Sequence, residues 1–285
     1  MASEIKSVAV VGGGFMGTGI AESVAVCGLP VIVRDVDQAS VARAGERIET
    51  SLARAVRGGK LSESDAGAAR ERIELTTDLE AISQADLVVE AVPEDERLKL
   101  SVMEAIDGVV SDGAIVASNT SSIPIAELAQ AISDPTRVLG LHFFSPVPVM
   151  MLVEVVVALD TSSDTVTRAK GFVERLGKRP IETKDRSGFI VNMLLVPYLM
   201  AAVRMYEDGF ASREDIDNGM KLGCGHPMGP LTLCDFIGLD VLYAVCDSLY
   251  EEFKRDEYAP PPLMKRMVAS GRLGRKSGRG FYEYS

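Results

Sequence analysis

The stretch "VAVVGGGFMGTGIAESVAVCG", residues 8–28, constrains the fold more than any other part of the chain. A β-branched run ends in Gly12-x-Gly14-x-x-Gly17, and a helical pattern opens there. Gly12 allows a tight turn, Gly14 lets a pyrophosphate come against the backbone, and Gly17 lets the helix pack closely on the strand. The start of that helix offers unbonded amides and the positive end of a dipole to phosphate. A second strand pattern, Leu29–Asp35, ends in an acid 23 residues after Gly12. A carboxylate there can accept both hydroxyls of an adenosine ribose and repels a 2′-phosphate. The arrangement reads as a dinucleotide site that favours NAD over NADP, with Arg34 as the neighbour that could turn toward a phosphate.

Further strand patterns are Leu87–Val92, Ala114–Ser118, Val138–Phe143 and Leu152–Ala158, with helical patterns between them. Alternation of this kind predicts an α/β fold with a Rossmann-type, mostly parallel sheet. The segment Ala39–Arg72 is longer than one crossover helix needs, and "GGKLSESD" breaks it, with Ser62 as N-cap and Asp65 three residues on. A helical hairpin projecting from the sheet is expected, its Arg54, Arg57, Lys60, Arg70 and Arg72 forming mainly a solvated basic face. Near Lys184–Gly188 the pattern changes, and only helical segments follow: Phe189–Glu207 (kinked at Pro197), Ser212–Leu222, Leu231–Phe253 and Pro262–Ser270. The expected division is a dinucleotide-binding domain over 1–187 and an all-helical domain over 188–285.

Composition removes several classes. A formal charge of −11 argues against nucleic acid or an acidic membrane surface as partner. The four cysteines lack C-x-x-C spacing and there are only two histidines, so a zinc site is not expected. No signal-peptide pattern precedes the first strand, and the longest apolar run, Phe189–Val203, is too short to span a bilayer and holds Asn192 and Pro197. A cytoplasmic protein is the expectation.

Three stretches carry polar residues at predicted strand ends, the edge where ligands sit in open α/β sheets. "ASNTSS" brings Asn119, Ser121 and Ser122, as ligand contacts or as a polar turn that caps the next helix. "VPEDERLKL" places Pro93 in a first helical turn, with Glu94 and Lys99 five residues apart; on residue chemistry alone it reads as a solvated helix start. "GLHFFSPVPVMMLVEVV" buries His142 and Glu154 in an apolar run. If "FFSPVPV" turns the chain back, Glu154 on the next strand lies beside His142, where a carboxylate would fix the imidazole tautomer and stabilise its charged form. A pair of charges in a core costs several kcal/mol of desolvation, roughly, and therefore usually has a use. Asn192 is a buried amide or a donor at a domain cleft, and His226, before Pro227, shapes a loop.

Together with "VVEAVPED", "RSGFIVNMLLVPYLMAA", "EDIDNGMKLGCGHPMGPLTLCDFIGLD" and "GRLGRKSGRGFYEY", these stretches resemble the short-chain 3-hydroxyacyl-CoA dehydrogenases, particularly the bacterial 3-hydroxybutyryl-CoA dehydrogenases, over nearly the whole chain. The resemblance implies oxidation of a short (S)-3-hydroxyacyl-CoA with NAD in fatty-acid metabolism. It places the catalytic histidine and its glutamate at His142 and Glu154, the substrate-facing serine and asparagine at Ser121 and Asn192, and cofactor contacts at Glu94, Lys99 and Asn119. Lys60 falls where the family approaches coenzyme A, and a homodimer through the helical domain is implied. One position departs from the family: Met193 stands where arginine is usual, which bears on how Asn192 is oriented. The alternatives are a sugar-acid dehydrogenase of the gulonate type and a non-catalytic, crystallin-like dinucleotide binder. Retention of Ser121, His142, Glu154 and Asn192 together argues against the latter.

Overall fold

The computed structural model describes residues 4–284, so the outer limits expected for the two domains, at 1 and 285, lie outside them. The described chain forms two compact units that meet at Arg186 and Ser187.

The first unit is built on strands β1 (Val8–Val11), β2 (Val31–Arg34), β3 (Ile73–Thr76), β4 (Leu87–Glu90), β5 (Ile115–Ser118), β6 (Val138–Phe143), β7 (Leu152–Val157) and β8 (Arg179–Lys184). Among the described residues they form one eight-stranded sheet in the order β3-β2-β1-β4-β5-β6-β7-β8. Every neighbouring pair is parallel except β6 and β7. The exception follows from the connection: residues 144–151 are too few for the dozen-residue crossover that a parallel return requires. The central strands β1, β4, β5 and β6 are buried throughout, as covered parallel sheets require, and their β-branched runs suit that setting.

Two strands, β3 and β8, do not stand out in the sequence, and they are the two sheet edges. "IELT" and "RPIETK" are only partly buried, so the apolar signal that marks a strand is weak there.

Helices α1 (Phe15–Val26), α2 (Gln38–Arg57), α3 (Glu63–Glu71), α4 (Glu96–Asp107), α5 (Ile125–Leu128) and α6 (Ser163–Arg175) join the strands. Ser62 caps α3 as expected, accepting from the Asp65 amide at 3.0 Å. The α2–α3 hairpin does not stand away from the sheet. Ala44, Ile48, Leu52 and Ala69 are buried, and both helices pack on α1 and β3. Arg54, Arg57 and Lys60 are exposed, as a solvated face implies, whereas Arg70 pairs with Glu49 at 2.5 Å and Arg72 donates to the Ala25 carbonyl at 3.1 Å.

The second unit consists of α7 (Val191–Glu207), α8 (Arg213–Cys224), α9 (Pro230–Ile237), α10 (Leu239–Phe253) and α11 (Pro262–Ala269). One helix was expected over Leu231–Phe253, but Gly238 (φ +104°) divides it into α9 and α10. The core unites Leu199 and Val203 of α7, Leu242 and Leu249 of α10, Met264 of α11 and Phe281. Asp235 of α9 then straps down the C-terminal segment: its carboxylate accepts from the amides of Phe281 and Tyr282 and from the Tyr284 hydroxyl, each at 2.9 Å. No helix among the described residues is long and apolar enough to cross a membrane.

Candidate active site

The fingerprint loop lies where the strand order reverses, between β1 and β4. Gly12 adopts φ +108°, and a Cβ there would stand 2.7 Å from the Ala91 carbonyl oxygen. At Gly17 a Cβ would stand 1.9 Å from the Gly12 oxygen, so only glycine lets α1 start so close to β1. At Gly14 the same test meets nothing within 4 Å. That face of the backbone is open, as an approaching pyrophosphate needs, and no side chain caps the start of α1.

Asp35 is presented at the end of β2. Its Oδ2 accepts from the Gly13 amide at 2.8 Å and its Oδ1 from the Val36 amide at 2.7 Å. A cleft of about 670 Å³ runs past Gly12, Gly14, Asp35, Ser40 and Pro93. Arg34 also borders it, but its Nε donates to the Thr77 carbonyl at 3.3 Å. Open backbone at Gly14, a carboxylate at Asp35 and a cleft of this size fit an NAD molecule.

Beyond β4 the chain builds a network of acids. Glu90, fully buried, accepts from Lys99 Nζ at 2.8 Å, the Val92 amide at 2.6 Å and Ser118 Oγ at 2.5 Å. Pro93 is not in a first helical turn: α4 begins at Glu96, and Asp95 caps it by accepting from the Leu98 amide at 2.8 Å. Glu94 therefore sits in the connection before the helix, free of the helical direction. Its carboxylate reaches the turn after β5, accepting from Thr120 Oγ1 at 2.5 Å, the Ser121 amide at 3.0 Å and Ser122 Oγ at 2.9 Å. Burial pushes the Glu94 carboxyl up, but the Lys99 ammonium and these donors outweigh it and hold the carboxyl below its ordinary range. Lys99 is not on a solvated face. It is 1% exposed, and its ammonium is shared among Glu90, the Val92 carbonyl and Glu94. Asn119 joins the ends of β5 and β6, its Oδ1 accepting from the Phe143 amide at 2.9 Å.

His142 and Glu154 are directly opposite residues of the antiparallel β6–β7 ladder. Nδ1 of His142 lies 2.6 Å from Oε2 of Glu154, and the side chains are 9% and 0% exposed. The Phe144 ring packs against the imidazole, with centroids 4.6 Å apart. Because β7 runs back, the glutamate comes to the same sheet edge as the carboxyl ends of β4, β5 and β6.

Two further hollows, about 420 and 600 Å³, continue from the dinucleotide cleft along α1 and α2. Ser51 and Arg54 border both, and Lys60 borders the outer one. Glu22 of α1 lines both and is nonetheless buried. Burial raises its pKa against the opposing pull of Ser51, Arg54 and Lys178. Lys178, lowered by burial, donates to the carbonyls of Val147 at 2.6 Å and Met150 at 2.9 Å and so pins the β6–β7 connection. In the helical unit, Asn192 is the second residue of α7 and partly exposed. Its neighbour Met193 packs against the helical core and accepts a long hydrogen bond from the Tyr258 hydroxyl at 3.8 Å.

Comparison with known proteins agrees with this geometry. Residues 7–186 match the model for the 3-hydroxyacyl-CoA dehydrogenase NAD-binding domain, and residues 188–284 that for the C-terminal domain of the same enzymes. The chain belongs to the 3-hydroxyacyl-CoA dehydrogenase family. It is 50% identical to a 3-hydroxybutyryl-CoA dehydrogenase of Mycobacterium tuberculosis, with 100% of both chains covered. Among solved structures it is similar to M. tuberculosis FadB2 (TM-score 0.98, 50% identity, 99% and 100% of the two chains covered). It also resembles the (S)-3-hydroxybutyryl-CoA dehydrogenase PaaH1 of Ralstonia eutropha (TM-score 0.95, 46% identity, 99% and 100% covered).

Within this 3-hydroxyacyl-CoA dehydrogenase several residues matter that sequence reasoning did not single out. Nothing in the strand pattern marks Glu90, and its burial with three donors appears only in the fold. Glu22 was one acid in an apolar helix. Arg43 and Arg47 were not noted beside Arg54, although their spacing to it, at i, i+4 and i+11, was a usable signal for one basic face of α2.

Proposed function

We propose that the chain interconverts a short (S)-3-hydroxyacyl-CoA, such as 3-hydroxybutyryl-CoA, and the 3-oxoacyl-CoA, with His142 as the proton-transfer residue. The observation that carries this reading is the buried His142–Glu154 pair on the edge that also presents the dinucleotide fingerprint. Glu154 lies at Nδ1, which supports Nε2 as the nitrogen that transfers the proton. In the oxidation direction Nε2 takes the 3-hydroxyl proton, and the carboxylate at 2.6 Å stabilises the imidazolium that forms. In the reverse direction the same nitrogen returns the proton to the oxygen at C3. NAD, when bound, supplies the acceptor for the hydride leaving C3.

The remaining assignments follow the family correspondence. Ser121 and Asn192 hydrogen-bond the reacting oxygen or the thioester carbonyl, and Asn119 stands near the nicotinamide. Gly12, Gly14, Gly17 and Asp35 hold the adenosine and pyrophosphate side. Glu94 contacts the cofactor, while Lys99, surrounded by its own chain's acceptors, positions Glu90 and Glu94. Lys60 falls where the family approaches coenzyme A, and it borders the outer hollow along α2 together with Ser51 and Arg54, so these hollows receive coenzyme A.

We also infer a cytoplasmic homodimer formed through the helical unit. Leu194, Phe210 and Leu222 of the helical unit are large and exposed, and a second copy would cover them. Sedimentation at several protein concentrations tests it.

The function is tested by following loss of NADH absorbance with acetoacetyl-CoA, with NADPH in parallel and free acetoacetate and gulonate oxidation as controls. Rapid NADH loss with the thioester alone is expected. Turnover of gulonate with silence on the thioester would replace the substrate assignment.

A further inference from the structure

The two ligands assigned above are both polyanions. NAD carries a pyrophosphate, and coenzyme A carries a pyrophosphate and a 3′-phosphate. Their clefts share a wall. Arg43 and Arg47 of α2 border both the dinucleotide cleft and the first hollow beyond it. Of the two, Arg47 is fixed to the fingerprint itself: its Nη1 donates to the Gly13 carbonyl at 3.3 Å, while the Gly13 amide donates to Asp35. Arg54, two turns further along the same face, borders the next hollow.

Among the described residues, most of the arginines that form ion pairs do so on other surfaces, and neither Arg43, Arg47 nor Arg54 has an acid within salt-bridge distance. Arg43 donates to Ser40 Oγ at 2.7 Å and Arg47 to the Gly13 carbonyl, so neither is neutralised by a carboxylate at salt-bridge distance; cationic groups along one trench, in a chain of net charge −11, are placed for anions. Acids are present too, Glu46 and the buried Glu22, so the wall is not uniformly basic.

We propose that Arg47 is a phosphate-binding residue shared by the two clefts, offsetting the repulsion between cofactor and thioester so that each binds in the presence of the other. A cation between two anionic ligands does little for either alone in water, but it matters when both crowd out solvent. The proposal rests on the assignment of the α2 hollows to coenzyme A.

The test uses NAD⁺ and acetoacetyl-CoA, both oxidised, so that no turnover occurs. Calorimetric titration gives the NAD⁺ dissociation constant with and without saturating thioester, and their ratio is the coupling factor. Arg47→Ala should shift that factor toward mutual exclusion by about five-fold or more, within the usual range of coupling between sites. Arg47→Lys, which keeps the charge, should retain most of it. Raised salt should diminish the difference between wild type and Arg47→Ala. A factor unchanged in Arg47→Ala, with NAD⁺ affinity lowered equally in both titrations, would overturn the proposal and leave Arg47 to the cofactor alone. Failure of the wild type to bind acetoacetyl-CoA would instead overturn the functional reading, and this inference with it.

Discussion

Glu154 lies across the ladder from His142, and the two are joined by a 2.6 Å contact to the imidazole Nδ1 in a site almost closed to solvent. Strand pairing sets the relation: an antiparallel register fixes which residues face one another, so neither side chain needs to search for its partner. His142→Ala should lower kcat for acetoacetyl-CoA reduction by about 10²–10⁴-fold, the range for loss of a general acid–base group. NAD⁺ affinity, measured by calorimetry, should stay within a few-fold. Glu154→Gln should lower kcat while sparing NAD⁺ binding. Loss of cofactor binding in either variant would show that the pair serves the cofactor rather than the proton.

The glycines of the fingerprint should separate into two kinds. A side chain at Gly14 enters open space, so Gly14→Val should fold with a Tm close to the wild type and lose NAD⁺ affinity, because the side chain occupies the pyrophosphate's approach. A methyl at Gly17 would sit 1.9 Å from the Gly12 oxygen. Gly17→Ala should therefore lower the Tm, and thermal melts without ligand would detect it. Equal Tm loss in both variants would contradict the distinction.

What could be read from sequence depended on whether a residue's environment was local. Strands β1, β4, β5 and β6 were legible because burial on both faces demands apolar, β-branched runs. Strands β3 and β8 were not, because an edge strand half in water has no such demand. The His142–Glu154 pairing was legible because a short Pro-containing connection leaves the chain only one way to turn. Lys99 shows the opposite case. Its pattern was that of a solvated helix start, and its burial is decided by Glu90, on another element and pointing from a strand end. The break between α9 and α10 was likewise hidden, since "FIGLDVL" keeps an apolar pattern through Gly238.

Glu22 should make stability depend on pH with a definite sign. Its folded pKa is raised, chiefly by burial, above the ordinary carboxylate range, so the folded state holds the proton more tightly than the unfolded chain does. Stability is then lost as pH rises from the ordinary carboxylate range through the folded pKa. Glu22→Gln removes that dependence and can still bond to Ser51. Arg54 and Lys178 lose a counter-charge, but Lys178 keeps the carbonyls of Val147 and Met150. The Tm difference, variant minus wild type, should therefore be more positive at about pH 8 than at about pH 4. A difference that does not change with pH would dismiss Glu22 as a source of strain.

In the helical unit, Asp235 should be worth more to stability than its place on a short helix suggests. Its Oδ1 accepts from the Phe281 amide, and its Oδ2 accepts from both the Tyr282 amide and the Tyr284 hydroxyl. A Cβ at Gly280 would stand 1.9 Å from that Oδ1, so the segment is held as close as glycine permits. Asp235→Asn keeps one acceptor and turns the other position into a donor, which then faces the donors it was meant to satisfy. Leaving a buried amide unpaired costs about 1–3 kcal/mol. Denaturant titration should show a loss of that order, and hydrogen exchange should show earlier opening of the amides of Phe281 and Tyr282. If stability fell while those two amides kept their protection, the strap would be held by Phe281 packing in the core rather than by Asp235.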